Sequence, residues 1–391
     1  MDYRFDEQRN RRGTLSLKWN VPENELPMWV ADMDFPAAPE ICDAILQRAQ
    51  HGIFGYTYLP DEWYQAVLGW WKTRHHFEME KEWLLFCSGI VPAIASAIRR
   101  LSAPGDKIIL MTPVYNAFFR TIKENGRYVL ENTMRYDGKS YTPDFEDLEK
   151  KLADPETAML IFCNPHNPVG KIWDRETMEK IGELCWKYRV PVLADEIHCD
   201  LTDPGKEYIP FASVSEKCKK NSITFIAPTK TFNLAGIQTA AVMIPDEKVR
   251  RQIGRAFQTD GIAEPNAFAV MAAIAAYSEG GPWLDALRQY IYENKMTVKK
   301  FIEEEIPQIR LVPSEATYLL WLDCSGCARK EEPFASFLRA QTGLYLNAGE
   351  LYGMDGKDFL RMNIACPRSV LREGLSRLKE GVCSYERLSP A

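Results

Sequence analysis

A chain of 391 residues, 46% of them hydrophobic, has enough apolar content for a large core and on length alone divides into two or three domains. Its net charge of −6 supplies no general basic field, which argues against nucleic acid and anionic lipid as partners. Ten cysteines without a repeated spacing, in a chain too long to need disulfide staples, imply a reducing compartment.

Arg9, Arg11, Arg12 and Lys217, Lys219, Lys220 are short local clusters, best read as solvated faces. Cys324 and Cys327 form the one CxxC pair. No second pair or paired histidines accompany it, so two buried thiols are expected rather than a zinc site or redox switch. Residues Met1 to Arg12 carry charge where a signal segment would be apolar, and no run approaches the ~20 apolar residues of a membrane span. A cytoplasmic location and no membrane partner are expected.

The opening, through Asn20, has no helical or alternating period, and Pro22, Pro27, Pro36 and Pro39 keep it extended. It reads as an arm crossing the surface. Met28 to Phe35 is oddly apolar for such an arm, as though packed over a pocket or against a partner chain. Pro39, Ile41, Ala44, Ile45 and Ala49 then predict a short amphipathic helix ended by His51-Gly52. Tyr56 to Pro60 is an aromatic loop, and Trp63, Val67, Trp70 and Trp71 mark a second helix whose aromatic stripe is core.

From residue 84 to 244 short apolar runs recur: Leu84 to Cys87, Lys107 to Met111, Ala158 to Cys163, Val190 to Ala194, Ile223 to Ala227 and Thr239 to Ile244. Helical patterns lie between several of them, such as Thr177 to Tyr188. Strands alternating with helices predict βαβ units and a mostly parallel sheet covered on both faces. Such sheets bind ligands at the carboxyl ends of their strands, and the unusual residues of this region fall there.

After the first run, Ser88-Gly89-Ile90 turns into a helix, an arrangement that lets backbone N–H groups face an anion. A plain turn would look the same, and neither GxGxxG nor GxxxxGK[ST] occurs, which argues against dinucleotide and P-loop chemistry. After the second run, Tyr115 beside Pro113 suits a ring lying flat on a planar ligand, or a packed loop aromatic. After the third comes Asn164-Pro165-His166-Asn167-Pro168-Val169-Gly170. Its two prolines and closing glycine fix Asn167, whose amide suits a phenolate oxygen.

The fourth run ends in Asp195-Glu196-Ile197-His198. A buried Asp charge is costly without a cationic partner, and a protonated pyridine nitrogen is one such partner; a helix N-cap is the ordinary alternative. His198 reads as a packed polar residue rather than a metal ligand, and no metal is expected. The fifth run leads through Pro228-Thr229 to Lys230 at a strand exit, among Thr, Phe, Leu and Ala. Partial burial disfavours its charged form and leaves an amine able to attack a carbonyl, although most lysines at loop starts are merely solvated.

Beyond 245, Glu264 to Tyr277 predicts an Ala-rich helix and Pro282 to about Glu305 a long one linking two domains. Ile309 to Val312, Tyr318 to Leu322 and Phe359 to Ile364 read as strands of a smaller unit. In the last of these, Arg361 stands in an apolar strand, as on a half-exposed face or as a fork for a substrate carboxylate.

These groups together outline a site for a phosphorylated pyridine aldehyde. The chain resembles the fold-type I pyridoxal-phosphate enzymes of the class I/II aminotransferase family, and within it the MalY/PatB-like branch of C–S β-lyases, often called cystathionine β-lyases. The resemblance rests on Arg11 to Thr14, Lys18-Trp19, Trp29 to Phe35, Pro113 to Phe118, Pro165 to Gly170, Asp195 to His198, Lys230 to Gly236 and Arg361 to Arg368.

The resemblance implies an α/β fold with a mostly parallel seven-stranded sheet between helices in a large domain, residues 51–283. A smaller α+β domain would comprise residues 1–50 with the arm and 284–391. It further implies that Lys230 holds pyridoxal 5'-phosphate, Asp195 pairs its ring nitrogen, Asn167 bonds its ring oxygen and Tyr115 stacks on it. Ser88, Gly89, Ile90 and Thr229 would line the phosphate, His198 would border the cofactor, and Tyr56 would reach the phosphate of a second subunit in a homodimer with shared sites. Arg361, with Ala31 and Asn167, would receive an amino-acid substrate.

Many relatives in the wider class carry a Ser three residues before the lysine and an Arg eight residues after it; here Ala227 and Gln238 stand there, leaving Thr229 or Thr231 to supply the hydroxyl. The implied reaction is β-elimination from cystathionine, cysteine or a related S-conjugate. An aminotransferase, or a regulatory protein keeping the cofactor for structure, are the alternatives.

Overall fold

The computed structural model describes residues 3–327, 333–353 and 356–387. Its centre is a seven-stranded sheet in the spatial order Leu84–Cys87, Ala240–Met243, Ser222–Ile226, Val192–Asp195, Thr157–Cys163, Lys107–Thr112, Tyr128–Thr133. Only Ala240–Met243 runs against its neighbours; the other pairings are parallel. The near-continuous apolar runs follow from burial on both faces. Ile108 and Leu110 pack into one layer while Ile109 and Met111 pack into the other, and Met159 and Ile161 alternate in the same way with Leu160 and Phe162.

The strand Tyr128–Thr133 was not among the predicted runs. It lies at the sheet edge, and its residues Tyr-Val-Leu-Glu-Asn-Thr are mostly part-exposed, so they carry no continuous apolar signal. The predicted helix at 264 begins only at Ala269. Helix Pro39–His51 starts on its proline and stops at Gly52 in the left-handed region, φ 75°. Helix Asp61–His75 buries Trp63, Val67, Trp70 and Trp71, as the stripe predicts.

The long helix Gly281–Glu305 has 25 residues, a reach of roughly 38 Å. It leads to an antiparallel sheet in the order Arg310–Leu311, Leu319–Asp323, Phe359–Asn363, Asn347–Ala348. The arm joins this region: Leu26–Pro27 pairs in parallel with Leu344–Tyr345.

The arm corrects one reading of the sequence. Arg11 and Arg12 are not a solvated face. Arg11 holds Asp32 and Asp34, each at 2.7 Å, and Arg12 donates to the carbonyls of Val21, Pro22, Glu23 and Glu25. Lys18, buried at 1% exposure, pairs with Asp34 at 2.8 Å. An extended chain without regular structure must find partners for its polar groups elsewhere, and these side chains provide them. All ten cysteines are free, with Cys324 and Cys327 buried. Among the described residues no helix is long and apolar enough to cross a membrane.

Candidate active site

The ends of five strands face one cavity of about 270 Å3, near the lower end of the ~300–1,000 Å3 range of small-molecule sites. The register brings them level: Cys163 lies opposite Asp195, and Asp195 opposite Phe225. One end of the cavity is the start of helix Ile90–Leu101, with Gly89 as its N-cap. The first N–H groups of a helix have no partner within it and carry partial positive charge, so Gly89, Ile90 and Val91 present an end of the cavity suited to an anion, with Ser88 beside them although its own N–H donates to the Ile262 carbonyl at 3.0 Å.

Asn167 enters from the loop after Thr157–Cys163. That loop contains two cis prolines, Pro165 and Pro168, and closes at Gly170, φ 71°. A Cβ at Gly170 would lie 2.6 Å from Ser314 Cβ and 2.7 Å from the Ala316 carbonyl oxygen, so glycine is required both for its φ and for its size. His166 ties the loop to its neighbour through Nε2 and the Pro113 carbonyl, 2.7 Å, which fixes Asn167 relative to Tyr115. The Asn167 Oδ1 accepts from Arg361 at 3.2 Å, leaving its amide N–H groups to donate.

Asp195 is 4% exposed. Burial pushes its carboxyl up to about 7, against the pull of the Ile197 N–H and of Lys230. Among the described residues no cation lies within salt-bridge distance of it. A buried carboxylate facing a cavity under these conditions is matched by a ligand N–H carrying positive charge. It is no helix N-cap, because no helix follows it.

Lys230 follows the strand Ser222–Ile226, on the one-turn helix Pro228–Thr231 rather than on an irregular exit. Its ammonium donates to the Ala31 carbonyl at 2.6 Å. Burial, then the nearby Arg361 charge, pull its pKa down to about 8, although Asp32 and Asp195 act the other way. The side chain is only half-buried because its tip faces the cavity. Burial likewise brings His198 down to about 3, with Lys230 and Arg361 adding to the effect. That favours the neutral ring at neutral pH, and its buried Nδ1 has no hydrogen-bond partner among the described residues.

Ten of the expected residues line this cavity: Ala31, Ser88, Gly89, Ile90, Tyr115, Asn167, Asp195, His198, Thr229 and Lys230. Two do not. Arg361 stands behind Asn167, 3% exposed, with Nη2 on the Trp29 carbonyl at 2.9 Å and its buried Nε without a partner among the described residues. Tyr56 is fully exposed and apart from the cavity of its own chain. Of the two candidate hydroxyls, Thr229 lines the cavity whereas Thr231 bonds Asp200 at 2.8 Å.

Cys163, Ile197 and Ala235 also line the wall. They carry no chemical signal in the sequence and are placed by the strand ends alone. Among the described residues, one group has the donor atoms of a metal site: His75, Cys199 and Asp200, within 4.8 Å of one another. The Asp200 oxygens there already accept from Trp70, His75 and Thr231.

The family model "Aminotransferase class I and II" matches residues 25–378. The chain belongs to this family. It is 41% identical over 381 residues to "Cystathionine beta-lyase PatB" of Bacillus subtilis (strain 168), covering 96% of this chain and 98% of that protein. Among solved structures it is similar to a PLP-bound putative aminotransferase from Clostridium difficile 630, with TM-score 0.95 and 38% identity over 97% of this chain and 100% of that one. It is similar also to the PLP-bound C–S lyase from Staphylococcus hominis, with TM-score 0.92 and 30% identity over 98% of each chain. The fold expected from the resemblance, a mostly parallel seven-stranded sheet between helices, is the one observed, with Ala240–Met243 its one antiparallel strand.

The cavity fits the cofactor those two structures hold. It has an anion cradle at one end, an amide donor and a buried carboxylate along its wall, and an amine of lowered pKa beside them.

Proposed function

We propose that the chain is a pyridoxal-phosphate-dependent C–S β-lyase, cleaving cystathionine, cysteine or a related S-substituted cysteine to a thiol, pyruvate and ammonia. What carries this reading is the convergence of Lys230, Asp195 and Asn167 on one cavity, in a chain 41% identical to a protein named cystathionine beta-lyase.

When bound, the cofactor supplies an aldehyde that condenses with amines and a ring that withdraws electrons from the substrate Cα. Ser88, Gly89, Ile90, Val91 and Thr229, which line one cavity, would hold its phosphate. Asp195 keeps a proton on the ring nitrogen, because a charged N–H partner offsets the cost of its own buried charge. Asn167 would donate to the ring oxygen, and Tyr115 and His198, which line the same cavity, would border the ring. Arg361 takes the substrate α-carboxylate with the N–H groups that Asn167 and Trp29 leave unspent. Lys230, neutral in useful fraction because its pKa is lowered to about 8, takes the Cα proton. The arm segment around Ala31 excludes water. Expulsion of a thiolate from Cβ, which takes up a proton to leave as the thiol, completes the elimination, and the released 2-aminoacrylate takes up one water in solution to give pyruvate and ammonia.

The proposal extends to a division at residues 51–283 against 1–50 and 284–391, to a cytoplasmic location, and to a homodimer in which Tyr56 reaches the phosphate of the second subunit. In support, Tyr56 is 104% exposed, within an exposed apolar stretch that includes Ile53, Phe54 and Tyr58. The test is incubation of purified holoenzyme with cystathionine, with and without a 2-keto acid, assaying pyruvate and free thiol. Pyruvate and thiol without a keto acid are expected. Turnover only with the keto acid would make the chain an aminotransferase instead.

A further inference from the structure

Five residues beyond Asp195 stands a second buried carboxylate, which the proposed chemistry does not use. Asp200 is 6% exposed, and a charge so buried is costly unless donors surround it. Three do. Its Oδ1 accepts from the Trp70 indole and from His75 Nε2, each at 2.9 Å, and its Oδ2 accepts from Thr231 Oγ1 at 2.8 Å. Burial acts to raise its pKa, but the donors His75, Trp70 and Thr231 outweigh burial and hold the carboxyl below its ordinary range.

His75 continues the network. Its ring packs edge-on against Tyr208, centroids 5.1 Å apart at 84°. Tyr208 donates to the buried Glu196. The chain of contacts runs from the residue after Asp195 to the residue after Lys230.

Thr231 is wholly buried and closes the four-residue turn Pro228–Thr231. A turn that short has little stability of its own, since two bonds, Phe232 N–H to the Pro228 carbonyl and Leu234 N–H to the Thr229 carbonyl, each at 2.9 Å, do not offset the cost of nucleating a helix. Outside contacts must hold it. Beyond Phe232, Asn233 takes a left-handed φ of 58° and bonds Met33 and Phe35 of the arm at 2.9–3.0 Å. Thr231 supplies the second attachment, to Asp200.

We infer that Asp200 is a positioning residue: through Thr231 it fixes the turn that carries Lys230, and so fixes the distance from the lysine amine to the Cα proton and to the cofactor carbonyl. The inference rests on the role proposed above for Lys230. The amine faces Asp32, Asp195 and Arg361, with neutral His198 beside it, and Asp200 faces His75, Arg74 and Arg288. Substitutions at Thr231 leave every one of these charges in place, so a change in the lysine's behaviour would report position rather than charge.

The test compares holoenzyme with its Thr231→Ser, Thr231→Val and Asp200→Asn variants. The readouts are the pH titration of the bound cofactor's visible absorption and kcat and KM for pyruvate release. Thr231→Ser keeps the hydroxyl and is expected within about twofold of the parent, whereas Thr231→Val and Asp200→Asn lose about tenfold or more in kcat with KM within about threefold. The midpoint of the visible titration in both shifts by about half a pH unit or more. Parental titration and kcat in Thr231→Val, with only the Tm lowered, overturns the inference, as does a Thr231→Ser variant as impaired as Thr231→Val. If Asp200→Asn does not fold, the Thr231 pair decides. A parent enzyme that binds cofactor yet releases no pyruvate strikes the lyase reading alone, because the visible titration still reads the position of the lysine.

Discussion

Lys230 Nζ donates to the carbonyl oxygen of Ala31 at 2.6 Å, across 199 residues of sequence. The arm thereby touches the one amine on which the proposed chemistry turns. Tyr318 donates to the same carbonyl at 3.1 Å, so Ala31 links arm, lysine and small sheet. Replacing Lys230 by Ala should abolish the visible cofactor band and lower pyruvate release by about a thousandfold or more, checked by absorption and by an S-substituted cysteine assay. Undiminished pyruvate release by that variant would remove the lysine from the mechanism.

Arg361 offers a separate handle. Arg361→Lys keeps the charge but loses the planar fork, and should lower kcat/KM by about 10- to 150-fold, or about 1.5–3 kcal/mol. Steady-state kinetics with the same substrate give the value, and the loss should appear mainly in KM. An unchanged KM would assign carboxylate recognition elsewhere.

Gly170→Ala combines a left-handed φ of 71° with contacts of 2.6 and 2.7 Å to Ser314 and Ala316. A cost of about 1–3 kcal/mol in stability is expected, read as a lowered midpoint in denaturant. Because Asn167 sits on the same loop, the cofactor's dissociation constant should rise as well.

The apoprotein should lose stability as pH rises from about 6.5 to 7.5, above which the Lys230 amine, lowered to about 8 in the folded chain, opposes the fall. Burial lifts Asp195 to about 7 and Glu196 to about 8, so the folded chain keeps protons that the unfolded chain has already released, and stability falls with pH through that window. Below 6.5 the effect is opposed. Burial lowers His166 to about 4 and His198 to about 3, so between about pH 4.5 and 6.5 the protons the unfolded histidines bind offset those the folded carboxyls keep, and stability is nearly level with pH. Thermal melts of apoprotein between pH 6 and 8 test this, and Glu196→Gln should flatten the fall. A melting temperature that climbs through the window would contradict it.

Lys18→Met should be strongly destabilising. It would leave Asp34 buried with one cation fewer, and breaking a buried pair costs about 3–5 kcal/mol. Arg11 and Trp19 still bond Asp34, which puts the expected loss at the lower end, to be measured by denaturant unfolding.

Residues whose chemistry is local could be read from the sequence. Asp195, Asn167 and Lys230 stand at the ends of apolar strands, and a sheet buried on both faces brings such ends together whatever the loops do. Arg361 was visible as a charge in an apolar strand, but its place behind Asn167 was not. The Arg11 and Arg12 attachments, the Asp200 hub and the choice of Thr229 over Thr231 depend on contacts across tens to hundreds of residues. No periodicity records these. The edge strand Tyr128–Thr133 escaped for the opposite reason, since half its surface is polar and its pattern is that of a loop.

The strand Phe359–Asn363 grips the arm: Asn363 Nδ2 bonds the carbonyls of Val30 and Asp32, each at 2.6 Å, and Arg361 holds that of Trp29. During synthesis on a ribosome the first segment to emerge therefore waits for one of the last before it can settle. A nascent polypeptide halted before residue 359 should carry the lysine, the carboxylate and the anion cradle, yet should capture vitamin B6 poorly because one wall is unmoored. Release of full-length chain, rather than folding of the central sheet, would then set the moment at which the enzyme becomes loaded, and stalled chains of graded length probed for bound chromophore would reveal it.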